Sequence, residues 1–222
     1  ELVSVNDLDH LEFYITLVRN AGEPPPSLTP RLFALKECDR ILSGPHNHGR
    51  YTLEHVSRDA NVIFAATGTG EAPHNAMVDQ LLKPGHRGRV ASVTCVRHTE
   101  DLGYLESHRR VESMFPNYRY IFLTTREPQN LDASRQDYVG KRYLQDYFGS
   151  NDFESETGIP LTPYNTHVFL CGNPDMIGVS LQTHDPNRRY QQSSGMVEGL
   201  ESRGFHVDRP HEWGNIHFEK YW

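Results

Sequence analysis

The sequence predicts an α/β protein, a parallel sheet wrapped by helices, preceded by a short antiparallel β portion. Three observations carry this. From Asn61 onward, short apolar runs alternate with segments of helical periodicity, the pattern of strand-helix-strand units. The first run enters a glycine turn and then a helix, N-V-I-F-A-A-T-G-T-G-E-A-P-H-N-A-M from Asn61 to Met77. Ahead of Gly44, by contrast, strand-like alternation is set among prolines without that rhythm.

Leu11, Phe13, Ile15 and Leu17 share one face of Leu11 to Val18, which reads as a half-buried strand. Arg19 to Ser27, with Pro24, Pro25 and Pro26, is a stiff loop. Thr29 is placed to cap a helix with Pro30 at its first position and Leu28, Leu32 and Leu35 at helical spacing. Asp39 to Gly44 resumes as a strand, and Pro45 to Arg50 turns the chain. Further strands are expected at Asn61 to Ala66, Arg89 to Val96, Tyr118 to Thr124, Thr166 to Leu170 and Asn215 to Lys220. Helices are expected at Pro73 to Leu82, Leu102 to Met114, Tyr138 to Phe148, Pro174 to Gln182 and Gln191 to Arg203. The acidic, proline-containing stretch Gly149 to Asn165 reads as a long surface loop.

A net charge of -7 over 222 residues argues against nucleic acid as a general partner, because a phosphate backbone needs a basic face. No apolar run has the length of a membrane span, and the N-terminus lacks a charged-then-apolar signal, so no membrane association is expected. Cys38, Cys95 and Cys171 are odd in number and far apart, which argues against a disulfide framework and points to the cytoplasm. His46 and His48 in P-H-N-H-G, and later His206, His211 and His217, have no zinc-motif spacing. They are expected to be solvated loop residues, with no metal site.

The chemistry concentrates where strands end. Gly68 and Gly70 let the backbone approach a ligand closely, and Pro73 falls in the first turn of the next helix, where a missing N–H costs nothing. A helix N-terminus delivered to the carboxyl end of a strand is a phosphate site. The third strand ends T-T-R-E, and G-K-R follows at Gly140 to Arg142. Arg126, Lys141 and Arg142, with Arg97 in C-V-R-H, suit a 2′-phosphate, since guanidinium pairs bidentately with phosphate while an unphosphorylated ribose prefers an acidic residue. The fourth strand ends L-C-G-N-P-D-M, a second glycine turn, with Cys171 small enough to lie against a flat ring or to fill the core. The chain ends E-K-Y-W, two aromatics able to stack on a cofactor or close the core.

G-T-G-E-A-P, T-R-E, G-K-R, L-C-G-N-P-D-M and the terminal Y-W, in that order and spacing, resemble the ferredoxin (flavodoxin) NADP reductases of bacterial type. Upstream, L-E-F-Y-I-T-L-V followed by S-L-T-P-R-L-F-A-L-K resembles the later part of that family's flavin domain. The resemblance implies residues 1–57 as the remnant of an antiparallel β-barrel FAD-binding domain and 58–222 as a Rossmann-like NADP-binding domain. It implies that Gly68, Thr69, Gly70 and Pro73 line the site shared by nicotinamide and pyrophosphate. Val96, Arg97, Thr125, Arg126 and Lys141, with Arg142, would hold the adenosine and its 2′-phosphate, and Gly172, Asn173 and Pro174 the rest of the NADP chain.

On the same resemblance Tyr14, Ile15, Thr16 and Leu17 lie along FAD, and Ser27, Leu28 and Thr29 meet its pyrophosphate. Tyr221 covers the flavin ring and Trp222 stacks on its adenine; Cys171 and Tyr221 take the catalytic positions beside nicotinamide and flavin. The implied chemistry is hydride transfer between NADP(H) and FAD, with single electrons passed to or from ferredoxin or flavodoxin by a monomer. Arg19, Arg31, Lys36 and Arg40 are the candidate docking cations for such an acidic partner. The family's flavin-gripping R-x-Y-S/T motif, and the strands before it, do not occur in this sequence, so the front of the flavin domain is expected to be missing. A non-catalytic NADP(H)-binding module is therefore the alternative expectation.

Overall fold

Asn61–Thr67 (β1), Val90–Val96 (β2), Tyr118–Thr124 (β3), Thr166–Gly172 (β4) and Ile216–Lys220 (β5) form one sheet in the order β3-β2-β1-β4-β5, with every neighbouring pair parallel. The computed structural model describes residues 11–18, 28–42, 49, 51–178, 195–209 and 211–220. All five expected strands downstream of residue 60 are present. β1 occupies the centre, covered on both faces, so its apolar run is continuous: Val62 through Ala66 are at most 1% exposed.

The helices are Thr29–Phe33 (α1), Glu71–Leu82 (α2), Leu105–Met114 (α3), Pro128–Leu131 (α4), Leu144–Gly149 (α5), Asp152–Thr157 (α6), Pro174–Ile177 (α7) and Met196–Glu201 (α8). Successive β1 side chains point to opposite faces and so belong to different cores. Val62 and Phe64 pack with Met77, Val78, Leu81 and Leu82 of α2. Ile63 and Ala65 pack with Leu144 and Tyr147 of α5, Phe153 of α6, Ile177 of α7 and Val197 of α8.

Several expectations are corrected. Leu11 to Val18 forms no strand, and Leu11 and Phe13 are 63% and 52% exposed. A strand persists only where its N–H and C=O groups meet a neighbouring strand, and among the described residues none pairs with this segment. The same holds for residues 39–42 of the strand expected at Asp39 to Gly44, the rest of which lies outside the described residues, as does most of the turn from Pro45 to Arg50. Thr29 is the first residue of α1 rather than its cap, and Pro30 the second, because the Thr29 hydroxyl accepts the Val18 N–H at 3.2 Å instead.

The helix expected from Tyr138 begins at Leu144. Gly140 is left-handed at φ 72°, and the Asp146 carboxylate accepts the Tyr143 N–H at 3.0 Å, which fixes the start there. The stretch from Gly149 to Asn165 is no simple surface loop: it contains α6 and buries Phe153, Ile159 and Leu161, apolar anchors masked by an acidic average composition. The helix expected at Pro174 to Gln182 ends at Ile177, with Gly178 at φ 84°; residues 179–182 and 191–194 lie outside the described set.

α2 carries a titratable group inside the core. His74 is 2% exposed, hydrogen-bonded to the Tyr51 hydroxyl at 2.6 Å, and burial lowers it from its ordinary value of 6.5 to about 3. The folded protein thus refuses a proton that the unfolded chain accepts. This contribution is complete above about pH 6.5 and is lost as pH falls toward the folded value, at about 1.4 kcal/mol per pH unit. Urea unfolding at pH 7, 6 and 5 is expected to show a slope shallower by about this amount in His74→Gln than in the wild type, where His86 and His167, also lowered by burial, add slopes of the same sign; equal slopes would exclude the assignment.

Candidate functional site

β1 ends in a tight 3₁₀ turn, Gly68–Gly70, that becomes α2. Gly68 is at φ 53° with open space where a Cβ would stand. A Cβ on Gly70 would lie 2.3 Å from the Cys171 carbonyl oxygen, so only glycine lets the turn approach the end of β4 this closely. β4 answers with its own glycine. Gly172 is at φ 127°, and a Cβ there would lie 2.2 Å from the Thr67 hydroxyl. That hydroxyl accepts the Asn173 N–H at 2.8 Å. Asn173 in turn caps α7, accepting the Asp175 N–H at 2.8 Å.

With the order β3-β2-β1-β4-β5, helices α2 and α3 cover the face reached from one side of β1 and α5 to α8 the other. The crevice between the β1 and β4 ends is therefore the point at which the winding reverses, where such sheets take their ligands. Thr69 and Pro73 are buried at its base, and Pro73 is the third residue of α2, where no N–H is needed. Cys171 has no exposed surface: its thiol lies within the core and its carbonyl abuts Gly70.

On the other side of β1 the ends of β2 and β3 are laced together. The Thr125 N–H donates to the Val96 carbonyl at 3.1 Å and the Arg126 N–H to the Arg97 carbonyl at 2.9 Å. Asn130, 5% exposed, accepts from the Thr124 hydroxyl at 2.9 Å and the Glu127 N–H at 3.0 Å, and donates to the Gly140 carbonyl at 3.0 Å. It thereby ties the segment carrying Lys141 to the strand end carrying Arg126. Glu127 accepts the Thr99 N–H at 2.6 Å, which holds its carboxyl below the ordinary value.

Arg97, Arg126 and Lys141 are exposed and make no ion pair among the described residues. Arg142 is different: it donates to Ser150 at 2.6 Å and to Asp152, with its guanidinium 4.8 Å from the centre of the Tyr147 ring. Thr67 and Asn130 escaped sequence reading; their only signals were a hydroxyl before a glycine turn and an amide two residues past a proline.

Residues 64–181, more than half of the chain, match the model of the oxidoreductase NAD-binding domain. The chain belongs to this family. It is similar to the flavodoxin/ferredoxin–NADP reductases of Buchnera aphidicola, 25% identical over 76% of the chain and 63% of the relative, and Escherichia coli, 29% identical over 79% and 66%. It thus spans just under two thirds of the length of these relatives. In fold it is similar to a ferredoxin NADP+ reductase from Neisseria gonorrhoeae with bound FAD and NADP, at TM-score 0.57 and 20% identity, covering 78% of this chain and 61% of that one. A nitric oxide dioxygenase FAD/NAD-binding domain from Vibrio cholerae matches at TM-score 0.54 and 16% identity over 90% and 66%. The resemblance read from the motifs agrees with these matches.

The residues expected along a flavin are placed less completely. The Tyr14 hydroxyl donates to the Asp101 carbonyl, and its ring meets Tyr104 edge-on at 5.7 Å. Ile15 and Leu17 are half-buried, Thr16 is exposed and Leu28 is 65% exposed. Leu17 and Val18 line a hollow of about 370 Å³ with Pro30, Phe33 and Ala34. Ser27, Tyr221 and Trp222 lie outside the described residues. The described residues offer one wall, with the Thr29 hydroxyl already accepting a backbone N–H, and do not by themselves enclose a flavin.

A second cavity, of about 470 Å³, opens at the opposite, amino edge of the sheet between His167, Arg209 and Trp213. His167 is bonded to His217 at 3.0 Å, and His217 to Asp208 at 2.7 Å. Its size suits a ligand, but it lies away from the carboxyl ends, where parallel sheets bind nucleotides. Among the described residues no group of three or more His, Cys, Asp or Glu side chains could hold a metal ion, and no helix is long and apolar enough to cross a membrane.

Proposed function

We propose that this family member binds NADP(H) along the carboxyl edge of the sheet and exchanges hydride with FAD, passing single electrons to or from ferredoxin or flavodoxin. The observation that carries the reading is the glycine-lined β1–β4 crevice flanked by cations, Arg97, Arg126 and Lys141, that are unpaired among the described residues. The residues present fit the dinucleotide: the open side of Gly68 and the N-terminus of α2 meet the pyrophosphate, and the three cations meet the 2′-phosphate. Gly172, Asn173 and Pro174 line the remainder, with Cys171 beneath the nicotinamide. The β2 and β3 ends hold the adenosine, so the nicotinamide is directed toward β4 and β5.

Residues 1–57 serve in this reading as the later part of an FAD-binding barrel and 58–222 as the NADP-binding domain, acting as a monomer in the cytoplasm. Bound FAD would supply the two-electron acceptance and one-electron release that no side chain provides. Tyr14 to Leu17, Leu28 and Thr29 are assigned to its surface. Exposed Arg31, Lys36 and Arg40 are assigned to docking the acidic electron carrier.

Visible absorbance of the purified protein, before and after denaturation and after incubation with FAD, tests the reading. Stoichiometric flavin, reduced on adding NADPH, is expected. Dinucleotide binding with no flavin, even after FAD is added, would replace the reductase by an NADP(H)-binding module.

A further inference from the structure

Glu71 is the first residue of α2, directly after Gly70, and its side chain is 1% exposed. The carboxylate turns down between β2, β3 and α3. Its Oε1 accepts from the Tyr120 hydroxyl at 2.5 Å and the Thr94 hydroxyl at 3.1 Å. His108, itself fully buried, brings Nε2 to 3.3 Å from the same oxygen without hydrogen-bond geometry. Oε2 has no hydrogen-bond partner among the described residues.

Two phenols complete the cluster. The Tyr118 hydroxyl lies 2.7 Å from His108 Nδ1, and burial raises the Tyr118 phenol well above its ordinary value, so it keeps its proton. Tyr120 is raised likewise, first by burial and then by Glu71, and acts as a donor. The Glu71 carboxylate thus takes both of its hydrogen bonds on one oxygen. A buried carboxylate left half-satisfied is costly and calls for a reason.

We propose that Glu71 sets the affinity of the dinucleotide site, its buried charge opposing the positive end of α2 so that phosphate is held loosely enough to exchange. The proposal rests on the assignment of the pyrophosphate to the Gly68–Gly70 turn. A carboxylate in a first turn stabilises its own helix through the same field that attracts a bound anion, so one function is gained at the expense of the other. In this arrangement Arg97, Arg126 and Lys141, rather than the helix end, carry most of the attraction for phosphate.

Titration of the full chain with NADP+ and with uncharged adenosine, in the wild type and in Glu71→Gln, tests it. The amide keeps the size and removes the charge, and NADP+ is expected to bind roughly three- to tenfold tighter, with adenosine unchanged. Tighter binding is not what a merely structural residue yields when replaced. Unchanged or weaker NADP+ binding by the folded variant would overturn the proposal. Should Glu71→Gln fail to fold, Glu71→Met removes the charge without leaving an amide to satisfy and is expected to tighten NADP+ with adenosine unchanged; equal effects on both ligands would overturn it. Absence of NADP+ binding by the unsubstituted chain would remove the dinucleotide reading and this inference with it.

Discussion

Replacing Arg126 with alanine is expected to weaken NADPH binding about 30- to 100-fold while changing NADH binding less than about threefold. The arginine is exposed at the end of β3, with no ion pair among the described residues, and its backbone is pinned to Arg97 at 2.9 Å. It is thus a positioned cation available to a ligand. A charge-assisted bond to phosphate is worth about 2–3 kcal/mol, and NADH lacks the phosphate that would receive it. Affinities of 2′-phospho-AMP and AMP for wild type and variant provide the cleanest comparison, because neither ligand touches the nicotinamide side. Equal losses for both would sink the 2′-phosphate assignment.

Gly70→Ala is expected to damage the protein more broadly. The added methyl would meet the Cys171 carbonyl oxygen at 2.3 Å and its carbon at 2.6 Å, backbone atoms of a central strand end that cannot swing aside. The turn must then pull away from β4, opening the crevice and losing contacts worth about 1–3 kcal/mol by the usual cost of overpacking. Dinucleotide affinity is expected to fall at least about tenfold, since backbone groups displaced by an ångström no longer meet the ligand. Gly199→Ala supplies the internal comparison. That glycine is exposed within α8 with nothing near its missing Cβ, so alanine there is expected to stabilise by about 0.5–1 kcal/mol. Urea unfolding of the two variants in parallel separates a steric effect from a general intolerance of alanine.

The sheet was legible in the sequence because its strands are buried on both faces. Val62 to Ala66 and Val168 to Cys171 are continuous apolar runs that leave little choice of structure. The glycine turns at Gly70 and Gly172 were legible for a related reason: the backbones of β1 and β4 meet there, and only one residue type fits. What sequence pattern missed depends on tertiary partners. Leu11 to Val18 alternates as a strand does, yet alternation describes a face and not the neighbour it needs. α6 is hidden in an acidic stretch because Phe153, Ile159 and Leu161 anchor it from three separated positions.

The site residues divide along the same line. Arg97 and Arg126 were found as charges at strand ends and Lys141 in the G-K-R stretch before a helix, and their placement shows them unpaired among the described residues. Arg142 has the same sequence signal but is engaged by Ser150 and Asp152, a distinction that only geometry makes. Glu71 and Asn130 were unreadable for the opposite reason. The Glu71 partners Thr94 and Tyr120 lie 23 and 49 residues away, while Asn130 joins Thr124 and Gly140, 6 and 10 residues away, across a loop that no periodic pattern marks.

A dinucleotide across the β1–β4 crevice, with its 2′-phosphate at the β2 and β3 ends, would perturb backbone amides on both sides of β1. Titrating NADP+ into the isotope-labelled chain and following backbone amides by NMR tests this most directly. Saturable shifts are expected at Gly68, Thr69, Gly70, Gly172 and Asn173, together with Arg97 and Arg126. Shifts confined to His167, Trp213 and the other residues around the amino-edge cavity, or no saturable shifts at all, would contradict it.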